Sequence, residues 1–263
     1  MAFLQIQFFS KALQVASTAW VIMPEADMGI GVNASGARET PPQVLYLLHG
    51  YSDDHTIWMR RTSVERYAAA HDLCVIMPAV NHSFYTNEAQ GERYWDYVSE
   101  ELPAAMHSFL NISDRPEDTC VAGLSMGGYG AMKLALTYPE RFRCAGSFSG
   151  GIDAVGLTKR RPVILDRVFG VKDAQGTEHD LFHLLEKNGG AAKKPRLYIS
   201  CGTKDFLWED HLAFWPAAEK AGWDVTHSEI PGFGHEWALW DREIAAFIDW
   251  AYGSGESSGT QKR

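Results

Sequence analysis

Long apolar runs are missing from this chain. No stretch approaches the roughly 20 residues that a membrane-spanning helix requires, so a bilayer is not an expected partner. Positive charge is in deficit: 24 Lys and Arg stand against 33 Asp and Glu, for a formal net charge of −9. A field of that sign repels nucleic acid and anionic lipid, and neither is expected to bind. The four cysteines, Cys74, Cys120, Cys144 and Cys201, form no C-x-x-C pair, which argues against a metal site or a redox motif. Their apolar surroundings predict buried, reduced thiols and no disulfide. The first residues have no basic region, and Gln5 and Gln7 interrupt their apolar character. A secretory leader is therefore not expected, and a cytoplasmic location is. No internal repeat is present.

What remains is an ordinary globular composition. The chain has 263 residues, 46% of them hydrophobic and 22% charged, which suits one domain with a sizeable core. Residues 1–252 are assigned to that domain, and the Gly/Ser-rich residues 253–263 to a disordered tail. Short apolar runs alternate with helix-period segments, the pattern of a mostly parallel sheet flanked by helices. Strands are expected at Gln5–Ser10, Leu13–Met23, Val44–Leu48, Leu73–Met77, Thr119–Leu124, Cys144–Ser149, Arg196–Cys201 and Asp224–Ile230. Helices are expected at Ser63–His71, Ser99–Leu110, Met126–Tyr138, Trp208–Ala221 and Glu236–Tyr252. Between Pro24 and Pro42 the composition predicts a loop. A long aromatic loop carrying His82, Phe84, Tyr85, Tyr94, Trp95 and Tyr97 follows the fourth strand. Residues 152–194 fit no strand–helix rhythm and are assigned to a small inserted cap.

Gly123-Leu124-Ser125-Met126-Gly127 matches G-x-S-x-G, a turn that lifts a serine hydroxyl above a sheet edge between strand and helix. Glycines two before and two after the serine are needed because a side chain there would collide with the neighbouring backbone. The motif carries weight only in context, and the context is present: the apolar Thr119–Ala122 before it, and Ala131, Met132, Leu134, Ala135 and Leu136 after it. Gly255-Glu256-Ser257-Ser258-Gly259 matches the same pattern but lies in the polar tail, with no strand or helix beside it. Ser125 is therefore the candidate nucleophile.

A serine hydroxyl needs a base to take its proton, and a carboxylate to orient that base and stabilise its cation. The chain order for this strand–serine–helix arrangement, the α/β-hydrolase fold, is Ser, acid, His. His179, His183, His211, His227 and His235 follow Ser125. Only His235 lies in the Gly-rich loop between the last strand and the last helix, where such a base is needed. Asp205, just past the strand ending at Cys201, is the favoured acid. Asp153, one strand earlier, is its rival, and Asp205 could instead serve as a helix cap. Two backbone N–H groups should face the developing oxyanion. Met126, at the start of a helix, supplies one; the loop His49-Gly50-Tyr51-Ser52 supplies the other, with Tyr51 favoured over Ser52.

Leu45–Gly50, Arg61–Arg66, Ala122–Ala131 and His235-Glu236-Trp237 together closely resemble the tributyrin esterase group. That group belongs to the putative-esterase family, beside S-formylglutathione hydrolases and mycolyltransferases, and the resemblance runs from Gln5 to Tyr252. It implies an α/β-hydrolase fold and a triad of Ser125, Asp205 and His235, with Tyr51 and Met126 at the oxyanion hole. It also implies hydrolysis of small-molecule acetyl to butyryl esters without a cofactor or metal, often by a homo-oligomer. S-formylglutathione hydrolases typically carry His before the nucleophile, where this chain has Leu124. A thioesterase and an acyltransferase using the same triad are the alternative activities.

Nine tryptophans are many for this length. Trp58, Trp95, Trp208 and Trp237, with Trp240, fall near the expected C-terminal sheet edge. They predict a tight apolar acyl pocket that favours short chains.

Overall fold

A computed structural model describes residues 1–25 and 40–253, with the side chains of 163–165 left undescribed. The expected loop between Pro24 and Pro42 falls mostly outside these residues, as does nearly all of the expected tail, including Ser257.

The chain begins with a hairpin, β1 (Ala2–Ser10) and β2 (Val15–Met23). Exposure alternates along β1, as expected for an edge strand covered on one face. Then come β3 (Val44–Leu48), α1 (Ile57–Arg61), α2 (Val64–Ala69) and β4 (Cys74–Pro78). Helices α3 (Tyr94–Asp96) and α4 (Leu102–Phe109) are joined by a π-helical turn at Tyr97–Glu101. The chain continues through β5 (Thr119–Leu124), α5 (Met126–Thr137), β6 (Cys144–Phe148), α6 (Ala154–Arg160), α7 (Pro162–Phe169) and α8 (Leu181–Asn188). It closes with β7 (Arg196–Gly202), α9 (Trp208–Lys220), β8 (Val225–Ile230) and α10 (Trp237–Tyr252).

The eight strands form one sheet in the order β1-β2-β4-β3-β5-β6-β7-β8. The β1–β2 and β2–β4 pairings are antiparallel and the others parallel. Strands β3, β4 and β6 are buried at every position, because helices cover both faces and each strand reads as a continuous apolar run. One core cluster gathers α4, α5 and α8 on one face, and another gathers α2 and α10 on the other. The molecule has the α/β-hydrolase fold.

Several boundaries differ from the sequence reading. Tyr94, Trp95 and Tyr97 are helical, so the aromatic loop is shorter than expected. Ser63 sits at the N-cap of α2, but its side chain makes no capping hydrogen bond. Residues 152–194 hold three helices, of which α8 packs on α5 and α9 as part of the main layer.

One cysteine expectation is overturned. Cys120 and Cys144 are direct partners in the β5–β6 register, their Cα atoms 5.0 Å apart, and they form a disulfide. Adjacent strand positions bring the two side chains to the same face, a pairing that sequence spacing cannot reveal. Cys74 and Cys201 are buried thiols. Among the described residues, no helix is long and apolar enough to cross a membrane.

Candidate active site

The site forms where β3, β5, β7 and β8 end, at the C-terminal edge of the parallel strands. Ser125 occupies the turn from β5 into α5 with φ 52° and ψ −115°, a left-handed conformation rare for a residue with a side chain. The surroundings hold it there. Its N–H donates to the Phe148 carbonyl at 2.9 Å, and its carbonyl accepts from Tyr129 and Gly151 N–H. A Cβ on Gly123 would come within 2.5 Å of the Gly127 backbone, and one on Gly127 would strike the Leu48 carbonyl. The flanking glycines therefore allow β5, α5 and β3 to converge at the serine.

His235 follows β8 on the loop before α10. Its Nε2 lies 3.1 Å from Ser125 Oγ and its Nδ1 2.9 Å from Asp205 Oδ2. Asp205 is buried and uses both oxygens: Oδ1 accepts the Leu207 N–H at 2.9 Å. Burial pushes its carboxyl pKa up, but the hydrogen bond and charge of His235 and the Leu207 N–H outweigh this and hold it below the ordinary value. Asp205 thus bonds both the imidazole and the turn into α9. The rival Asp153 is engaged elsewhere, accepting the Gly156 N–H at 2.8 Å as the N-cap of α6.

The loop after β3 presses against the serine. A Cβ on Gly50 would lie 2.6 Å from Leu124 Cδ1, 2.8 Å from Asp53 Oδ2 and 3.7 Å from Ser125 Cβ, so the Leu124 and Asp53 side chains would have to give way to admit one. The buried His49 fixes the loop from below. Its Nδ1 lies 2.8 Å from the Gly50 carbonyl, its Nε2 accepts the Val80 N–H at 3.2 Å, and its own carbonyl accepts the Tyr85 hydroxyl at 2.9 Å. Burial lowers the His49 pKa to about 4, so the ring is neutral. The Tyr51 ring stacks on His82 with centroids 4.3 Å apart. Tyr51 and Met126 both line the cavity beside the serine.

Above the serine lies a cavity of about 290 Å³ lined largely by Phe84, Leu124, Leu157, Phe206, Leu207, Trp237 and Trp240, with Tyr51, Met126, Asp53 and Arg161. Of the five tryptophans expected near the pocket, Trp237 and Trp240 line it and Trp58, Trp95 and Trp208 do not. Trp58 is fully buried beneath, donating to the Leu48 carbonyl at 3.0 Å and meeting Trp237 edge-on at 5.4 Å. Trp95 stacks on Tyr138 and carries the Lys133 ammonium over its face. Trp208 packs against Trp215. Neither lines the cavity, because position near a strand end does not set the direction of a side chain. Sequence reasoning missed Leu157, Arg161 and Phe206, whose segments carry no motif. Among the described residues, no group of His, Cys, Asp and Glu could hold a metal ion.

Residues 23–248 match the family described as "Putative esterase". An acetyl esterase of Caldicellulosiruptor saccharolyticus is 29% identical over 262 residues, spanning 95% of this chain and 98% of that protein. A substrate-bound fluorophosphonate-binding serine hydrolase of Staphylococcus aureus superposes with a TM-score of 0.87 at 36% identity, covering 96% of this chain and 99% of its own. An S-formylglutathione hydrolase of the same organism, as apoenzyme, gives 0.83 at 36% identity, with 95% and 98% coverage.

Proposed function

The chain belongs to the "Putative esterase" family and is a serine hydrolase of carboxylic esters; from that premise we propose that it cleaves short acyl esters through an acyl-enzyme on Ser125. The observation that carries this reading is the continuous relay from Asp205 through His235 to Ser125, at 2.9 and 3.1 Å, opening into an apolar cavity.

In this mechanism His235 Nε2 takes the Ser125 proton as Oγ attacks the ester carbonyl, and Asp205 stabilises the imidazolium. The Tyr51 and Met126 N–H groups receive the negative charge on the carbonyl oxygen. Collapse of the tetrahedral intermediate expels the alcohol, which takes its proton from His235. Water, deprotonated by the same imidazole, then attacks the acyl-enzyme, releasing the carboxylate and restoring Ser125. Helices α6 and α7 act as the cap over the cavity, with Leu157 and Arg161 as its contribution to the wall.

The preference for short acyl chains rests on cavity size. Each further buried methylene gains about 0.8 kcal/mol only while space remains, and Trp237 and Trp240, braced by Trp58, leave the wall little freedom. The test is a series of 4-nitrophenyl esters from acetate to octanoate. kcat/KM should fall sharply by octanoate, and a steady rise with chain length would overturn the proposal. The S-formylglutathione hydrolase neighbour favours a thioester as second reading. It gains ground if S-formylglutathione exceeds 4-nitrophenyl acetate in kcat/KM.

A further inference from the structure

Helix α6 turns Leu157 and Arg161, one helical turn apart, toward the cavity; the Arg161 N–H still donates to the Leu157 carbonyl at 2.8 Å. Arg161 then leaves helical geometry (φ −139°, ψ 63°), and Pro162 opens α7. This break separates two neighbouring guanidinium groups. Arg160 reaches α9, where its two terminal nitrogens bond the two oxygens of the buried Asp210 at 3.2 and 2.6 Å. Arg161 remains exposed at the cavity and, among the described residues, its guanidinium has neither an ion-pair partner nor a hydrogen bond.

The cavity's other titratable groups are committed. His235 is held by Asp205 beneath the lining. The Asp53 carboxyl, raised by burial, accepts a hydrogen bond from the Gly50 backbone and so serves its own loop. Arg161 is thus the one uncommitted charge among the described lining residues. It sits on a chain whose net charge of −9 supplies no other attraction for an anion. A guanidinium presents paired donors that match a carboxylate, and an exposed one gives up little hydration in binding it.

We propose that the preferred substrates are esters bearing a carboxylate a few bonds from the scissile carbonyl, held by Arg161 at the cavity rim. The inference rests on the esterase reading of Ser125. The carboxylate can belong to either half of the ester, and matched pairs of probes separate the two cases. 4-Acetoxybutanoate against 4-acetoxybutanamide places the charge on the alcohol; ethyl hydrogen succinate against ethyl succinamate places it on the acyl group.

The quantity read is the acid-to-amide ratio of kcat/KM. In the wild type it should favour the acid in at least one pair, and it should fall about tenfold in Arg161→Gln. Arg161→Lys should keep part of the preference, and Arg161→Glu should reverse it. Salt at about 0.5 M should compress the ratio in the wild type and leave it flat in Arg161→Gln. A ratio unchanged by Arg161→Gln and Arg161→Glu in both pairs overturns the proposal. The neutral amides report on the esterase reading separately. Their turnover with an unchanged ratio overturns the role of Arg161 alone, whereas their failure to react in the wild type sinks both.

Discussion

The His235 imidazole meets the Ser125 hydroxyl at 3.1 Å although 110 positions separate the two residues. The contact depends on two loops at the same sheet edge, one leaving β5 and one leaving β8. Ser125→Ala removes the proposed nucleophile and should lower turnover of 4-nitrophenyl acetate by about 10⁴-fold or more. Labelling by a fluorophosphonate probe should disappear with it. Retained labelling at another serine would place the chemistry elsewhere.

Asp205 divides its oxygens between His235 and Leu207. Asp205→Asn should preserve the turn into α9 while losing charge and tautomer control at His235. We expect kcat to fall by roughly 10² to 10⁴-fold with little change in melting temperature. A variant of near-normal kcat would show that another carboxylate orients the imidazole.

A methyl group added at Gly50 would meet Leu124 Cδ1 at 2.6 Å and Asp53 Oδ2 at 2.8 Å, so these side chains or the loop itself must shift. Where the loop gives way, Gly50→Ala should shift the Tyr51 N–H from its proposed place at the oxyanion. The expected loss is about 10² to 10³-fold in kcat, with KM much less affected. Equal loss in binding of a non-reactive substrate analogue would instead mean a blocked cavity.

Three buried histidines make the fold sensitive to acid. Burial lowers His49 to about 4, burial and the Lys133 ammonium lower His179 to about 3, and burial lowers His211 to about 4. In the unfolded chain each titrates near 6.5. Below pH 6.5 the unfolded state therefore binds more protons, and stability falls with pH until the folded histidines also titrate. His211 Nε2 lies 3.1 Å from the Gly150 carbonyl, a contact that Gln can keep. His211→Gln should flatten the stability profile between pH 6.5 and 4, by up to about 1.4 kcal/mol per pH unit. Chemical denaturation across that window checks this, and parallel profiles would refute it.

Much of the candidate site could be read before the fold was known, and the physical reasons differ by residue. Ser125 stands out because its strained turn requires glycine at fixed offsets, which is a local constraint. His235 stands out by its place between the last strand and the last helix. The sequence favours Asp205 but leaves Asp153 open as its rival, since both follow a parallel strand. What separates them is that the Gly156 N–H occupies Asp153. Trp95 and Trp208 were placed beside the pocket by proximity to strand ends, and the directions of their side chains depend on packing partners far along the chain. Leu157 lies in α6 and Arg161 at its C-cap, in a charged segment, 152–194, that did not announce its helices. The Cys120–Cys144 pairing required knowing that β5 and β6 are neighbours in that register.

That covalent bond has a further implication. The ring it closes spans a sequence separation of 24 and contains Ser125 and all of α5. A protease nick anywhere between Cys120 and Cys144 would divide the chain on either side of the serine without freeing either fragment. Such a clipped molecule would migrate as full-length material under oxidising electrophoresis and split into two bands once a reductant was added.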